Sequence, residues 1–339
     1  MLLPVLHIQA EGPQGLLLVN GSPAGQSDRP PVTPVAPDGT VFITYLPLGR
    51  QGDTMVLPLT VALPFAGGRP SGPADGCIIY AGKDGRVDVE LQPLALPFRS
   101  KKSSPYAVGT VNFSHNGQPH TATAYWEDGL HVAVEQRQRE RAELLYTAED
   151  FDTCAISIGQ GFTQTDIVLK GEGKKGPRTV VIAPGPRGFA VMLDEYATGE
   201  SRQGGMVCTK PLGDICGHEK RYGVLLVGGQ LRRGQEEIGF FTQTRRQPAT
   251  AQLCCKAFCE ALALGLWEET LSMMTDDLAG GMERDELEAF FGAFAHVREI
   301  RGDENPVLWL AEPLFENGYA LKAFAFEMEG KKIANIRPL

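Results

Sequence analysis

The sequence predicts a mostly β protein. Its body takes a sandwich, barrel or short propeller-like form and is followed by a small α+β domain with three helices and a three-stranded antiparallel sheet. Three observations predict this. The 339 residues include 40 Gly and 24 Pro, a content that suits many short strands joined by tight turns. Apolar and β-branched runs recur between Asn-Gly and Asp-Gly pairs over the first 240 or so residues. After residue 248 the apolar period changes from 2 to 3.6.

The first strands read as follows. Gly15 to Val19 is an apolar run stopped by Asn20-Gly21, a reverse-turn signal. Runs beginning at Asp38-Gly39 and Asp84-Gly85 pass into β-branched residues. The Leu-Pro-Phe endings at residues 63–65 and 96–98 suit edge strands, because Pro cannot donate to a ladder; a weak internal duplication is the other reading. Residues 66–76 and 99–105 are polar or rich in Gly and Pro and read as loops.

From residue 106 the strand signal becomes denser. Residues 107–114, 119–126 and 130–135 form a predicted three-strand meander, with turns at His115-Asn116-Gly117-Gln118 and Glu127-Asp128-Gly129. Further strands fit 153–158, 163–170, 178–184, 188–194, 205–209, 222–231 and 236–243. Only residues 137–145 suggest a helical turn or two. Thr242 to Pro248 reads as a linker. The predicted domains are therefore 1–104, 105–246 and 249–339.

In the last of these, Ala251, Cys255, Phe258 and Leu262 make one helical stripe. Trp267, Leu271, Met274 and Leu278 make a second, ended by Gly280-Gly281. Leu287, Phe290, Phe291, Phe294 and Val297 define a third, with His296 near its end. Strands at 306–312, 318–329 and 332–337 complete the chain. On the long strand, alternation puts Phe324, Phe326 and Met328 on one side and Tyr319, Leu321 and Ala323 on the other.

Charge restricts the partners. Residues 249–339 hold 16 acidic and 8 basic residues, whereas residues 1–248 hold 25 and 24. A near-neutral body with an acidic end argues against nucleic acid, which needs a basic footprint. No run approaches the ~18 apolar residues of a membrane helix, so no membrane association is expected. The first residues lack the basic and apolar regions of a signal peptide. Seven cysteines without regular spacing are not a disulfide framework. Seven free thiols and a cytoplasmic location are the corresponding expectations.

Chemical motifs are sparse. Cys208, Cys216 and His218 fall within eleven residues, but they lack the spacing and fourth ligand of a zinc site. Cys255 and Cys259 share a helix face, where free Cys usually packs as a small hydrophobe. His115, His120 and His131 flank the meander turns, where exposure is the simpler reading. Asp276-Asp277 and the acids at 283–288 read as solvated helix ends. The Gly-rich stretches at 159–161 and 171–173 lack the Lys and helix of a phosphate loop. Arg232-Arg233 and Arg245-Arg246 offer a basic patch or plain surface. Neither a metal nor a cofactor is expected.

Two resemblances add to this reading. Leu18 to Gly25, the Pro-rich stretch after it and Asp38-Gly39-Thr40 resemble the small PEGA-type β modules, which implies surface recognition. Residues 249–339 resemble the cone-shaped nuclear-transport-factor-2-like superfamily. The resemblance is carried by Leu262-Ala-Leu-Gly265, by the helix from Trp267 to Met274, and by the hairpin turning at Gly330-Lys-Lys-Ile333. It implies a sheet whose concave face is covered by helices, in a fold that hosts enzymes, binders and dimerisation modules alike. A ligand there would meet Phe258, Trp267, Phe294, Trp309 and Tyr319.

The functional expectation is a binding or scaffold protein without a catalytic motif. It would take a protein partner or a small apolar ligand, and a homodimer through the C-terminal domain is possible. A hydrolase acting on glycans or peptides, with a site built from loops between the β domains, is the alternative. A deep cleft with convergent carboxylates or His would favour the enzyme, and a flat apolar patch the binder.

Overall fold

The computed structural model describes residues 3–49, 54–97, 106–127, 129–136, 141–148, 150–185 and 188–339. Among the described residues the chain is mostly β, its sheets are open, and four helices lie near the C-terminus. It divides into two compact units, one of residues 1–100 with 248–339 and the other of residues 101–247. Residues 1–100 and 249–339, which the sequence assigns to a first and a third domain, fall in one unit.

In the first unit an eight-stranded sheet draws on both ends of the chain. Val5–Ala10 pairs in parallel with Arg86–Leu91, which pairs antiparallel with Cys77–Ala81. Cys77–Ala81 then pairs in parallel with Gly318–Glu329, in the register Ile79 to Gly318 through Ala81 to Ala320. Four C-terminal strands complete the sheet: His296–Arg301, Val307–Phe315, Gly318–Glu329 and Lys332–Pro338.

One face of this sheet has two different covers. Over the N-terminal strands lies a five-stranded sheet containing Gly15–Val19, Gly39–Pro47 and Leu59–Ala66. Leu17, Ile43, Tyr45 and Leu63 from it share a core with Leu6, Ile8, Ile79, Val89 and Leu91. The hairpin that starts it turns at Asn20-Gly21, both at positive φ (50° and 78°), as the sequence predicts. Over the C-terminal strands lie helices. Phe258 of helix Ala251–Ala263 meets Phe326 with ring centroids 6.0 Å apart, and Phe291 of helix Arg284–Phe291 meets Phe324 at 4.6 Å.

The helical stretch differs from expectation in two places. The second helix is broken into Trp267–Ser272 and Asp276–Gly280. Between them the chain bonds to the last strand: Thr275 N–H donates to Ile333 O, and Ile333 N–H to Met273 O (both 2.9 Å). The Thr275 side chain then caps the following turn. The third helix stops at Phe291, because Gly292 (φ 66°) turns the chain out of it. His296 and Val297 consequently lie in a fourth C-terminal strand, not at a helix end.

The second unit is three consecutive four-stranded antiparallel meanders. The first contains Gln118–Trp126 and Leu130–Gln136, the second Asp166–Gly173 and Gly176–Gly185, and the third Gly205–Pro211 and Glu219–Val227. Alternation in the first sheet buries Ala122, Ala124, Val132 and Val134 against Ile167, Leu169, Val180 and Ile182 of the second. The second sheet's other face, with Val168, Val181 and Leu193, packs on Met206, Cys208, Tyr222 and Val224 of the third. Burial on both faces explains why the second sheet reads as continuous apolar runs, whereas its neighbours alternate. Residues 137–140, part of the expected helical turn, lie outside the described residues. Residues 141–148 are strand.

Residues 242–247, expected as a linker, are bound to the second unit. The buried Glu219 carboxylate accepts from the N–H groups of Phe241 (2.8 Å) and Thr242 (2.7 Å) and from the Thr242 hydroxyl. Gln243 Nε2 donates to Gly217 O, and Arg246 N–H to Cys216 O.

Candidate functional site

The joint between the two halves of the eight-stranded sheet leaves a notch. On one side of Gly318–Glu329, residues 318–320 pair with 79–81 and residues 324–329 pair with 332–338. Leu321 and Lys322 fall between these partners, and the Leu339 N–H closes on Ala323 O (2.9 Å). Cys77–Ala81 ends here because Gly82-Lys83-Asp84-Gly85 turns it back into the next strand. In that turn the Asp84 carboxylate accepts from the Arg86 N–H (3.0 Å), and Gly85 sits at φ 84°. Gly318 opens the opposing strand; a Cβ there would lie 1.9 Å from the Phe315 ring, so only Gly lets that ring fold back over the strand.

Two crevices flank the notch, and Gly82, Lys83 and Leu321 line both. The larger, about 540 Å3, has Leu314, Phe315, Ala320 and Pro70 as apolar wall, with Arg69, Lys83, Lys322 and Glu312 around it. Lys322 is held by Glu312 (2.8 Å). The smaller, about 300 Å3, is lined by Trp309 and Ala323 and by a balanced set of charges. There Arg86 binds Asp88 (2.8 Å), and Arg301 binds Glu299 (2.7 Å) while stacking on the Trp309 ring at 4.9 Å.

Beside the smaller crevice, the sheet face opposite the helices carries a cluster drawn from both ends of the chain. Tyr80 stacks on Tyr319 with centroids 5.4 Å apart, and its hydroxyl lies 3.2 Å from His296 Nε2. Arg298 lies over the Tyr80 ring (4.5 Å) and binds Glu90 at 2.5 Å. Its Nε is buried without a hydrogen-bond partner among the described residues, where the ring face supplies the compensating interaction. Burial first, and the Arg298 charge second, lower the His296 pKa from its usual range. Burial, and then Glu90, raise that of the Tyr80 hydroxyl.

The five aromatics expected to share a pocket are not brought together. Phe258 is fully buried in the helix-side core, and Phe294 packs near Phe291 on that side (6.4 Å). Trp267 is half-buried at the start of its short helix. Trp309 and Tyr319 belong to the opposite face, with Tyr80, Ala311 and Leu321. The alternation along 319–328 is as expected; the strand's two faces serve different purposes. Tyr80, Lys83 and Arg69 were missed, because no local pattern shows that Cys77–Ala81 meets a strand some 240 residues later.

The remaining candidates lie elsewhere. His115 and His120 meet at 5.9 Å beside Phe113 and Phe189, whereas His131 stacks on Tyr125 instead. Cys255 and Cys259 are buried in the helix-side core. Cys208 is core to the third meander, and His218 is buried with its Nδ1 2.7 Å from Asp214 Oδ2 and its ring on Phe240. Arg233 binds Glu195 and lies over the Tyr222 ring. In the second meander Arg178 joins Asp150 (2.6 Å) to Asp194 (2.7 Å), so these charges satisfy one another. No model of a known protein family matches the sequence, and no curated protein matches it.

Proposed function

We propose that this protein is a binding or scaffold protein that takes a small ligand at the notch of the composite sheet. The observation that carries this reading is the pair of crevices on either side of a gap in an otherwise hydrogen-bonded sheet. Their volumes fall within the roughly 300–1,000 Å3 of small-molecule sites. The chemistry around them favours binding over hydrolysis. Asp88 and Glu299 are each held in an ion pair with an arginine, whereas a hydrolase needs a carboxylate or imidazole turned toward its substrate.

A thermal-shift screen of small molecules on the intact chain tests it. A ligand at about 100 times its Kd adds about 2.7 kcal/mol to the stability of its unit, a shift of several degrees. Trp309→Ala or Lys83→Glu should remove the shift for a ligand of the adjoining crevice. If nothing stabilises the chain and sedimentation shows a dimer, the scaffold reading displaces the small-ligand one.

A further inference from the structure

The two crevices differ in charge, and the difference points to a ligand class. This inference rests on the reading of the notch as a binding site. In the smaller crevice Arg86 and Arg301 are paired with Asp88 and Glu299, and the carboxylate of Asp84 stands beside Lys83 in the lining without an ion pair to it. In the larger, Glu312 answers only Lys322, which it binds. Arg69 and Lys83 have no ion-pair partner among the described residues and are both exposed at its rim. Against these two cations stands an apolar wall, with Leu314 53% exposed, Phe315 half-buried and Leu321 at the floor. An exposed leucine beside two unpaired cations costs the free protein apolar hydration without ion-pair compensation. A molecule with an apolar body and one anionic end answers both features at once.

The wall has a reason to be open. It lies where the sheet passes from the cover of the five-stranded sheet, which ends at Arg69–Pro70, to the cover of the helices. Lys322 reaches toward the end of the last helix; its Nζ lies 2.9 Å from where a Cβ on Gly292 would sit. Between the two covers Leu314 is exposed and Phe315 and Ala320 are half-buried, so the apolar wall of the crevice is open there. We infer that the larger crevice binds a small amphipathic monoanion of the carboxylate class, its acid end at Arg69 and Lys83 and its chain along Leu314, Phe315 and Leu321.

Calorimetric titration of the intact protein with sodium decanoate below its micellar concentration tests the inference, with decanol and acetate as probes of each half of the ligand. The inference expects saturable one-to-one binding of decanoate, weaker binding at high salt, and at least about tenfold weaker binding of decanol and acetate. Arg69→Glu/Lys83→Glu changes only exposed side chains, so the protein should melt as the parent does and lose decanoate binding about tenfold or more. Saturable decanoate binding unaffected by that pair of changes would overturn the inference, as would no binding at all. Capture on phosphatidylglycerol vesicles but not by free decanoate would also overturn it. Failure of decanoate to bind, together with binding of a neutral ligand that is lost with Trp309→Ala, would overturn the inference and leave the notch as a binding site.

Discussion

His296 and Glu219 show how single residues hold distant segments, and their charges shift in ways that can be measured. His296 keeps one side exposed, and its folded pKa is lowered, chiefly by partial desolvation against the tyrosines and then by Arg298. As pH falls, the unfolded chain therefore takes up this proton first, near the ordinary value of about 6.5. Its contribution to stability is intact above that value and is lost as pH falls toward the folded pKa. His296→Asn should flatten the fall in stability between about pH 7 and pH 5; an unchanged slope would show that the imidazole is not held in this cluster. Burial alone would raise the Glu219 pKa, but the Thr242 hydroxyl and the N–H groups of Thr242, Phe241 and Gln243 outweigh it and hold the value below the usual carboxylate range. That contribution is present above about pH 4.5 and is lost as pH falls through the folded pKa. Glu219→Gln keeps the shape and removes the charge. It should speed amide exchange at Phe241 and Thr242 and tryptic cleavage at Arg245-Arg246, and equal rates in both proteins would contradict the docking of this segment.

At the scale of elements, the legible features were those fixed by neighbours in sequence. The Asn20-Gly21 hairpin, the alternating strands of the first meander and the helix at Ala251–Ala263 each follow from a local pattern, and each is present. What escaped was decided by remote partners. Nothing near Met273 shows that its carbonyl will accept from Ile333 and break a helix. The run from Phe290 to Val297 keeps an apolar pattern, yet Gly292 ends the helix and His296 starts a strand. For the same reason Phe258 and Trp309, which the notion of one pocket had joined, lie on opposite sides of a sheet. Burial at 0% exposure makes Phe258 a core residue; Phe258→Ala should cost about 3–5 kcal/mol in unfolding by denaturant. Trp309→Ala, at a half-buried crevice wall, should cost clearly less. In the second unit Arg178 holds Asp150 and Asp194 while its guanidinium lies over the Phe151 ring (4.9 Å). Arg178→Met leaves Asp194 and Asp150, both partly exposed, with the hydroxyls of Tyr146 and Tyr196 as partners and should cost about 1.5–3 kcal/mol; a loss below about 1 kcal/mol would show that the acids find water instead.

At the scale of the whole molecule, the sequence suggested three successive domains because period, composition and charge all change near residue 248. Those changes are real, but they mark the point where the chain leaves one unit and rejoins another. Residues 318–320 complete a sheet begun by residues 5–10, 77–81 and 86–91, and the proposed binding site exists only where these segments meet. Residues 248–339 alone would expose the edge taken by Cys77–Ala81 and lose Tyr80 from the cluster with Tyr319 and His296. The measurement that tests this most directly is calorimetric unfolding of two chains: residues 248–339 alone, and residues 1–100 joined to 248–339 by a flexible linker. The composite sheet predicts one cooperative transition for the joined chain and none for residues 248–339 alone. A cooperative transition of residues 248–339 alone, at the same temperature as in the joined chain, would contradict it.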